Sequence, residues 1–278
     1  MAAVIARLER LERAVAARRQ AAERSKAFPS DPVALARLAG LKPDPWQIQA
    51  LTSRAQTLLL CCSRQVGKSS MVAVLIVTTL LQGERTVVIV SPSERQSKEL
   101  LRKVLTVWRK IGKPIPYESV TRTSLELANH SRLEAFPANE DTIRGISAVD
   151  LLVAEEAAMV DDTIFNSVSP MLAVSGGRLL APSTPKGQRG WWYGLWSTPE
   201  AEDPDIERVE VTADQCPRIS PLFLARERRR IGERWYRQEY MCGFEDAEGA
   251  VFRGEDFAAA YTDSVNELDL EVFKQWAS

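Results

Sequence analysis

Cys62-Ser63-Arg64-Gln65-Val66-Gly67-Lys68-Ser69 is the stretch on which the reading of this chain turns. An apolar run, Thr57-Leu58-Leu59-Leu60-Cys61, stands before it and predicts a buried strand. Met71-Val72-Ala73-Val74-Leu75-Ile76-Val77 stands after it and predicts a buried helix. Strand, tight loop, Gly-Lys-Ser and helix form the context in which a chain cradles phosphate. Free backbone N–H groups at the helix start point at an anion, and the helix dipole favours negative charge there. On this reading Ser63, Arg64, Gln65, Val66, Gly67, Lys68, Ser69 and Ser70 surround the phosphates of a nucleotide. Lys68 reaches the β- and γ-phosphates, and the Ser69 hydroxyl holds Mg²⁺. Arg64 lies inside the loop and is a candidate for the γ-phosphate in cis; the alternative is an arginine that covers the loop surface. The usual first glycine of the motif is Cys62 here, so the full glycine pattern is broken. A chance Gly-Lys-Ser in a surface turn is the competing reading, and the flanking strand and helix speak against it.

The second informative segment is Leu151-Leu152-Val153-Ala154-Glu155-Glu156. An apolar strand ending in two acids is what a nucleoside triphosphatase places opposite its phosphate loop. Glu155 would serve the Mg²⁺ shell, and Glu156 would orient or deprotonate the attacking water. Carboxylates at a strand's C-terminal end sit where open α/β sheets bind ligands. The competing reading is a solvated Glu-Glu helix start, favoured there by the dipole.

Composition sets the outer bounds. The 278 residues are 45% hydrophobic and 26% charged, an ordinary globular balance. No apolar run approaches the ~18 residues of a membrane span, so no membrane partner is expected. The Arg- and Ala-rich N-terminus lacks the compact apolar core of a secretory signal. Cys61, Cys62, Cys216 and Cys242 show no metal-ligand spacing and read as reduced thiols of a cytosolic protein. A single histidine, His130, argues against histidine-based catalysis or a His-rich metal site. The net charge of −1 does not announce a nucleic-acid binder.

Along the chain, residues 3–24 predict an amphipathic helix with Val4, Leu8, Leu11 and Val15 as a narrow apolar stripe. A linker through Pro29-Ser30-Asp31-Pro32 and a short helix opened by Pro43-Asp44-Pro45-Trp46-Gln47 follow. Further strands are expected at 85–90, 124–127, 131–135, 149–154 and 177–181, with an edge strand at 206–211. Helices are expected at 94–110 and 163–172, and one long polar helix at 221–241. Strands apolar throughout, alternating with helices, imply an α/β fold with a mainly parallel sheet and helices on both faces. The adjacent Trp191 and Trp192 are expected to pack in the core. Lys186, Arg189 and the Arg226, Arg228, Arg229, Arg230 cluster read either as phosphate-backbone contacts or as a solvated face.

Taken together, these segments resemble the ATPase domain of the large terminase subunit, the DNA-packaging motor of tailed bacteriophages. The loop Ser63–Ser69 matches that family's phosphate loop, which often replaces the first glycine. Asp44-Pro45-Trp46-Gln47 resembles its adenine-site motif and implies Trp46 and Gln47 as nucleotide-binding residues. Thr142-Ile143-Arg144-Gly145-Ile146-Ser147-Ala148 resembles the arginine-bearing loop that precedes the family's acidic strand. Ser183-Thr184-Pro185-Lys186-Gly187 resembles its coupling motif, and Pro217-Arg218-Ile219-Ser220-Pro221 with the helix after it resembles the end of the ATPase region. The resemblance covers roughly residues 40–255.

The resemblance implies a P-loop NTPase of the additional-strand type that uses ATP and Mg²⁺. It implies an N-terminal helical arm and linker at 1–40, an ATPase domain at 41–255, and a C-terminal tail at 256–278. The implied activity is ATP-driven translocation of double-stranded DNA into a procapsid, by a homo-oligomeric ring on the portal, with a small terminase subunit as partner. The implied setting is the cytoplasm of a bacterial host, with a phage or prophage gene. Glu156, Arg64 and Arg144 carry the catalytic roles, Ser69 and Glu155 the metal, Ser183 and Thr184 the coupling. Arg144 is either a finger on a neighbouring subunit's nucleotide or a loop arginine paired with Asp141 or Glu140. The family usually has Asp-Glu where this chain has Glu155-Glu156. Full-length members also carry a nuclease domain, and the chain stops near where it would begin, so nuclease activity is not expected from these residues. Two alternatives stand beside this reading: a non-catalytic or weakly active assembly module, and a helicase-like nucleic-acid-dependent ATPase.

Overall fold

In the computed structural model, which describes residues 1–139 and 145–245, one eight-stranded sheet organises the chain. The strands are β1 (Thr57–Cys62), β2 (Thr86–Ser91), β3 (Tyr117–Val120), β4 (Ser124–Leu127), β5 (Arg132–Pro137), β6 (Leu151–Ala154), β7 (Arg178–Ser183) and β8 (Ile206–Val211). Their order is β3-β4-β5-β2-β6-β7-β1-β8. From β5 to β8 every neighbouring pair is parallel; β3, β4 and β5 are joined antiparallel.

The central strands are apolar throughout because both faces are covered. In β1, Leu58, Leu60 and Cys62 enter one core while Leu59 and Cys61 enter the other. The same alternation separates Val87 and Ile89 from Val88 and Val90 in β2, and Leu151 and Val153 from Leu152 and Ala154 in β6. The first face is covered by α2 (Pro32–Leu38), α3 (Pro45–Thr52), α4 (Lys68–Leu81) and α5 (Glu94–Lys110). The second is covered by α6 (Asp162–Val168) and α7 (Gly190–Ser197). Trp192 of α7 is buried and donates its indole N–H to the Ala181 carbonyl at 2.9 Å; Trp191 stacks on Phe165 at 3.8 Å. Both tryptophans therefore pack, as expected.

Strand β7 lies between β1, which leads into the phosphate loop, and β6, which carries the acids. One strand inserted between these two is the additional-strand arrangement expected above. Since β1, β6 and β7 are mutually parallel, their C-terminal ends meet at one edge of the sheet.

Two expectations change. The predicted helix at 221–241 is two helices, α8 (Pro221–Ile231) and α9 (Glu233–Tyr240), broken at Gly232, whose φ of 82° no helix contains. The predicted helix at 163–172 starts one residue earlier and tightens after Val168 into a 3₁₀ turn around Pro170. The N-terminal helix α1 (Ala2–Lys26) forms as expected, with Val4, Leu8 and Val15 of its apolar stripe exposed and Ala21 its buried residue among those described. The side chain of Leu11, the loop residues 140–144 and residues 246–278, with the expected tail, lie outside the described residues. Among the described residues, no helix is long and apolar enough to cross a membrane.

Candidate active site

The loop between β1 and α4 is shaped by two left-handed residues, Gln65 at φ 66° and Gly67 at φ 94°. They turn the chain tightly into α4, whose first amides are the groups an anion site uses. Gly67 has a second reason to be glycine: a Cβ there would lie 3.0 Å from Gln47 Nε2. Cys62, by contrast, is extended and pairs with Val211 of β8, so the strand has no need of glycine at that position. The broken motif thus has a structural cause. The four cysteines are buried and free. A hydrogen bond to Cys242, together with burial, pushes the Cys61 thiol far up, and burial raises that of Cys62.

The two acids stand opposite this loop. The Glu155 amide donates to the Val90 carbonyl at 2.8 Å and so extends the β6 ladder by one residue. Glu156 then turns left-handed, at φ 52°. The ammonium of Lys68 lies 3.0 Å from Glu156 Oε1, and the Ser69 hydroxyl donates to Glu155 Oε1 at 3.0 Å. Both pairs span the inserted strand β7. Glu155 is only 6% exposed, and its Oε2 is buried with no hydrogen-bond partner. Burial raises the Glu155 carboxyl above the usual range; Lys68 opposes the rise, Glu156 adds to it, and Ser69 and Lys103 oppose it. A buried carboxylate oxygen without a donor, beside a serine hydroxyl, suits a hard divalent cation such as Mg²⁺.

Ser183 and Thr184 close the third side. Ser183 Oγ accepts from the Ala158 amide at 3.1 Å, and the Thr184 amide lies 3.5 Å from Glu156 Oε2. The end of β7 therefore touches the segment that carries the acids. A cavity of about 500 Å³ opens between these elements, lined by the phosphate loop, Glu156, Thr184, and Gln96 and Lys103 of α5. A second cavity of about 460 Å³ lies on the other side of Gly67, lined by Leu41, Pro43, Gln47, Met71, Val74 and Arg218 among others.

The remaining expected residues fall in different places. Gln47 lines the second cavity; its Oε1 accepts from the Asp44 amide at 2.9 Å and its Nε2 donates to the Gly67 carbonyl at 3.5 Å. Its neighbour in sequence, Trp46, is buried in the core with its indole N–H unpartnered. Arg64 lines the first cavity, but its guanidinium, with a 61% exposed side chain, is paired with Glu239 of α9. Arg144 lies outside the described residues. In the arginine cluster of α8, Arg228 is held by Glu233 and Arg230 by Glu227, while Arg226 and Arg229 are exposed.

Arg218 has no site role in the sequence reading beyond its place in a motif near the end of the domain. In the structure it donates to the Val66 carbonyl at 2.8 Å and to Asp44 at 2.9 Å, tying the phosphate loop to the N-terminus of α3. These contacts bridge 152 and 174 positions of chain, so no local signal announces them. Lys103 and Gln96 likewise read in sequence only as parts of an amphipathic helix.

Comparison with known proteins adds a lineage. Residues 59–259 match the family model described as terminase large subunit, T4likevirus-type, N-terminal. The large terminase subunit of Escherichia phage T5 is 27% identical over 223 residues, covering 77% of this chain and 50% of that protein. The chain spans about half the length of the curated relatives it matches. Among solved structures, the large terminase ATPase domain of Thermus phage P74-26 superposes with a TM-score of 0.66 at 24% identity, covering 75% of this chain and 96% of that one. The large terminase of another thermophilic bacteriophage, solved in complex with ADP, gives 0.60 at 14% identity, covering 72% and 53%. These structural likenesses establish the fold.

Proposed function

The chain belongs to the terminase large-subunit family, in its T4likevirus-type N-terminal region, and from that premise we propose that it is an ATP-hydrolysing motor domain that drives double-stranded DNA into a phage procapsid. The observation that carries the proposal is the double pairing across β7, Lys68 with Glu156 and Ser69 with Glu155, both at 3.0 Å. It supports the reading because Lys68, which we assign to the phosphates, and Glu156, which we assign to the water, line one cavity. A large terminase of the same fold solved in complex with ADP supports a nucleotide as the ligand.

In this reading the Lys68–Glu156 ion pair is the resting state. An incoming triphosphate, with its greater negative charge, takes Lys68 from Glu156. Glu156 is then free to accept a proton. The water oxygen attacks the γ-phosphorus while the bond from that phosphorus to the β–γ bridging oxygen breaks. The electron pair leaves with ADP, and the proton lost by the water passes to the Glu156 carboxylate. Ser69 and Glu155 would hold Mg²⁺, which when bound neutralises phosphate charge. Arg64 would exchange Glu239 for the γ-phosphate, Arg144 would act on a neighbouring subunit's nucleotide, and Gln47, backed by Trp46, would face the adenine. Ser183 and Thr184 would pass the state of Glu156 into β7.

The wider reading follows the family. Residues 41–255 would form the motor, residues 1–40 an arm, and residues 256–278 a tail. The partners would be DNA, further copies in a ring on the portal, and a small terminase subunit, in the cytoplasm of the bacterial host. We assign residues 1–278 hydrolysis and translocation, not strand cleavage. The test is displacement of a triplex-forming oligonucleotide from linear duplex DNA, with procapsids present. ATP-dependent displacement, lost in Lys68→Ala, is the expected result. Displacement independent of ATP, or ATP turnover indifferent to DNA and procapsids, would overturn the motor reading.

A further inference from the structure

Three cationic side chains line the cavity at the phosphate loop: Arg64, Lys68 and Lys103. Two are already engaged, Lys68 by Glu156 and Arg64 by Glu239. Lys103 has no ion-pair partner among the described residues. It projects from α5, half-buried, seven positions after Gln96, which lines the same cavity. Seven residues are two helical turns, so both side chains share one face of α5. The adjoining face of that helix is anchored by buried Leu100, Leu101, Val104 and Trp108. Lys103 therefore stands on a fixed helix at the cavity wall.

The polarity of the site says which part of a nucleotide it meets. The more apolar cavity, with Gln47 and Arg218, lies beyond Gly67 and suits a base. The more polar cavity, at the phosphate loop, is lined by Lys103 together with Glu156, Met159 and Thr184. Lys103 also acts electrostatically on the Glu155 carboxylate. A nucleotide laid along the loop thus presents its terminal phosphate to Lys103. We propose that Lys103 is a further cationic contact to the γ-phosphate, supplied in cis by α5, and that it makes the site discriminate a triphosphate from a diphosphate. The proposal rests on the nucleotide-binding reading above and goes beyond it by assigning the discrimination to a residue outside the phosphate loop.

The experiment is a comparison of ATPγS and ADP affinities, with Mg²⁺, for the full chain and for Lys103→Met, Lys103→Gln and Lys103→Arg. A charge-assisted contact to the γ-phosphate alone predicts that the Met and Gln variants lose about 10-fold or more in ATPγS affinity, while ADP affinity changes less than about twofold. Lys103→Arg recovers most of the loss. ADP affinity serves as the internal control for folding, since a damaged site would lose both ligands together. Equal losses for ATPγS and ADP, or an unchanged ATPγS affinity, would overturn the role of Lys103. A wild-type chain that binds neither nucleotide would overturn the parent reading as well, and the two failures are distinct.

Discussion

Replacing Glu155 by glutamine should make the metal-free protein more stable while it removes the proposed cation ligand. The carboxylate is 6% exposed, receives one hydrogen bond from Ser69, and has a second oxygen with none. An unsatisfied buried charged group costs about 1–3 kcal/mol or more. Glutamine keeps the oxygen that accepts from Ser69 and removes the charge, but its amide donors need partners, so we expect a net gain of about 1–2 kcal/mol. For a domain of this size that is a rise in melting temperature of about 2–8 °C. The pH dependence has a definite sign. Burial raises the folded-state pKa of Glu155 above its unfolded value. Its contribution to stability is therefore complete below the unfolded value, about 4.3, and is lost as pH rises through the folded value. The advantage of Glu155→Gln should be largest near neutral pH and should shrink as the pH falls toward about 4–5. Thermal melts in EDTA across that range measure it. A lower melting temperature for the variant at neutral pH, or a difference that grows on acidification, would refute the reasoning.

Two further outcomes follow from the same geometry. Gly67→Ala places a Cβ 3.0 Å from Gln47 Nε2 at a φ of 94°; left-handed backbone costs a non-glycine residue about 1–2 kcal/mol, so the variant should melt lower and bind ATP more weakly, as melts and titration would record. If Arg144 acts between subunits, mixtures of Arg144→Ala and Glu156→Gln proteins should regain turnover that neither shows alone; an absence of rescue at every mixing ratio would place Arg144 elsewhere.

The centre of the sheet is legible in the sequence because its strands are apolar on both faces. β1, β2, β6 and β7 can hardly be read otherwise, and β8 does lie at an edge, as its alternating pattern implies. β3 escapes because Glu118, Ser119 and Val120 are exposed and supply no apolar pattern. α2 escapes because it has seven residues and opens with Pro32, which reads as linker; yet Val33, Leu35 and Ala36 are buried in the core. The break at Gly232 is visible as a residue but not as a conformation, since an isolated glycine also occurs inside helices. At the site, Lys68, Ser69, Glu155 and Glu156 are legible because strand ends and motif order announce them. Arg218 and Lys103 are not, because they reach the site only through the folding of distant elements onto one sheet edge.

The central claim is that Glu156 activates water at a site where Lys68 binds the phosphates. Steady-state ATP hydrolysis with Mg²⁺, measured beside ATP affinity, tests it most directly. Wild type should turn over, and Lys68→Ala should bind ATP poorly. Glu156→Gln should keep near-native ATP affinity while its turnover falls by about 10²-fold or more. A Glu156→Gln protein that hydrolyses ATP at the wild-type rate would contradict the account.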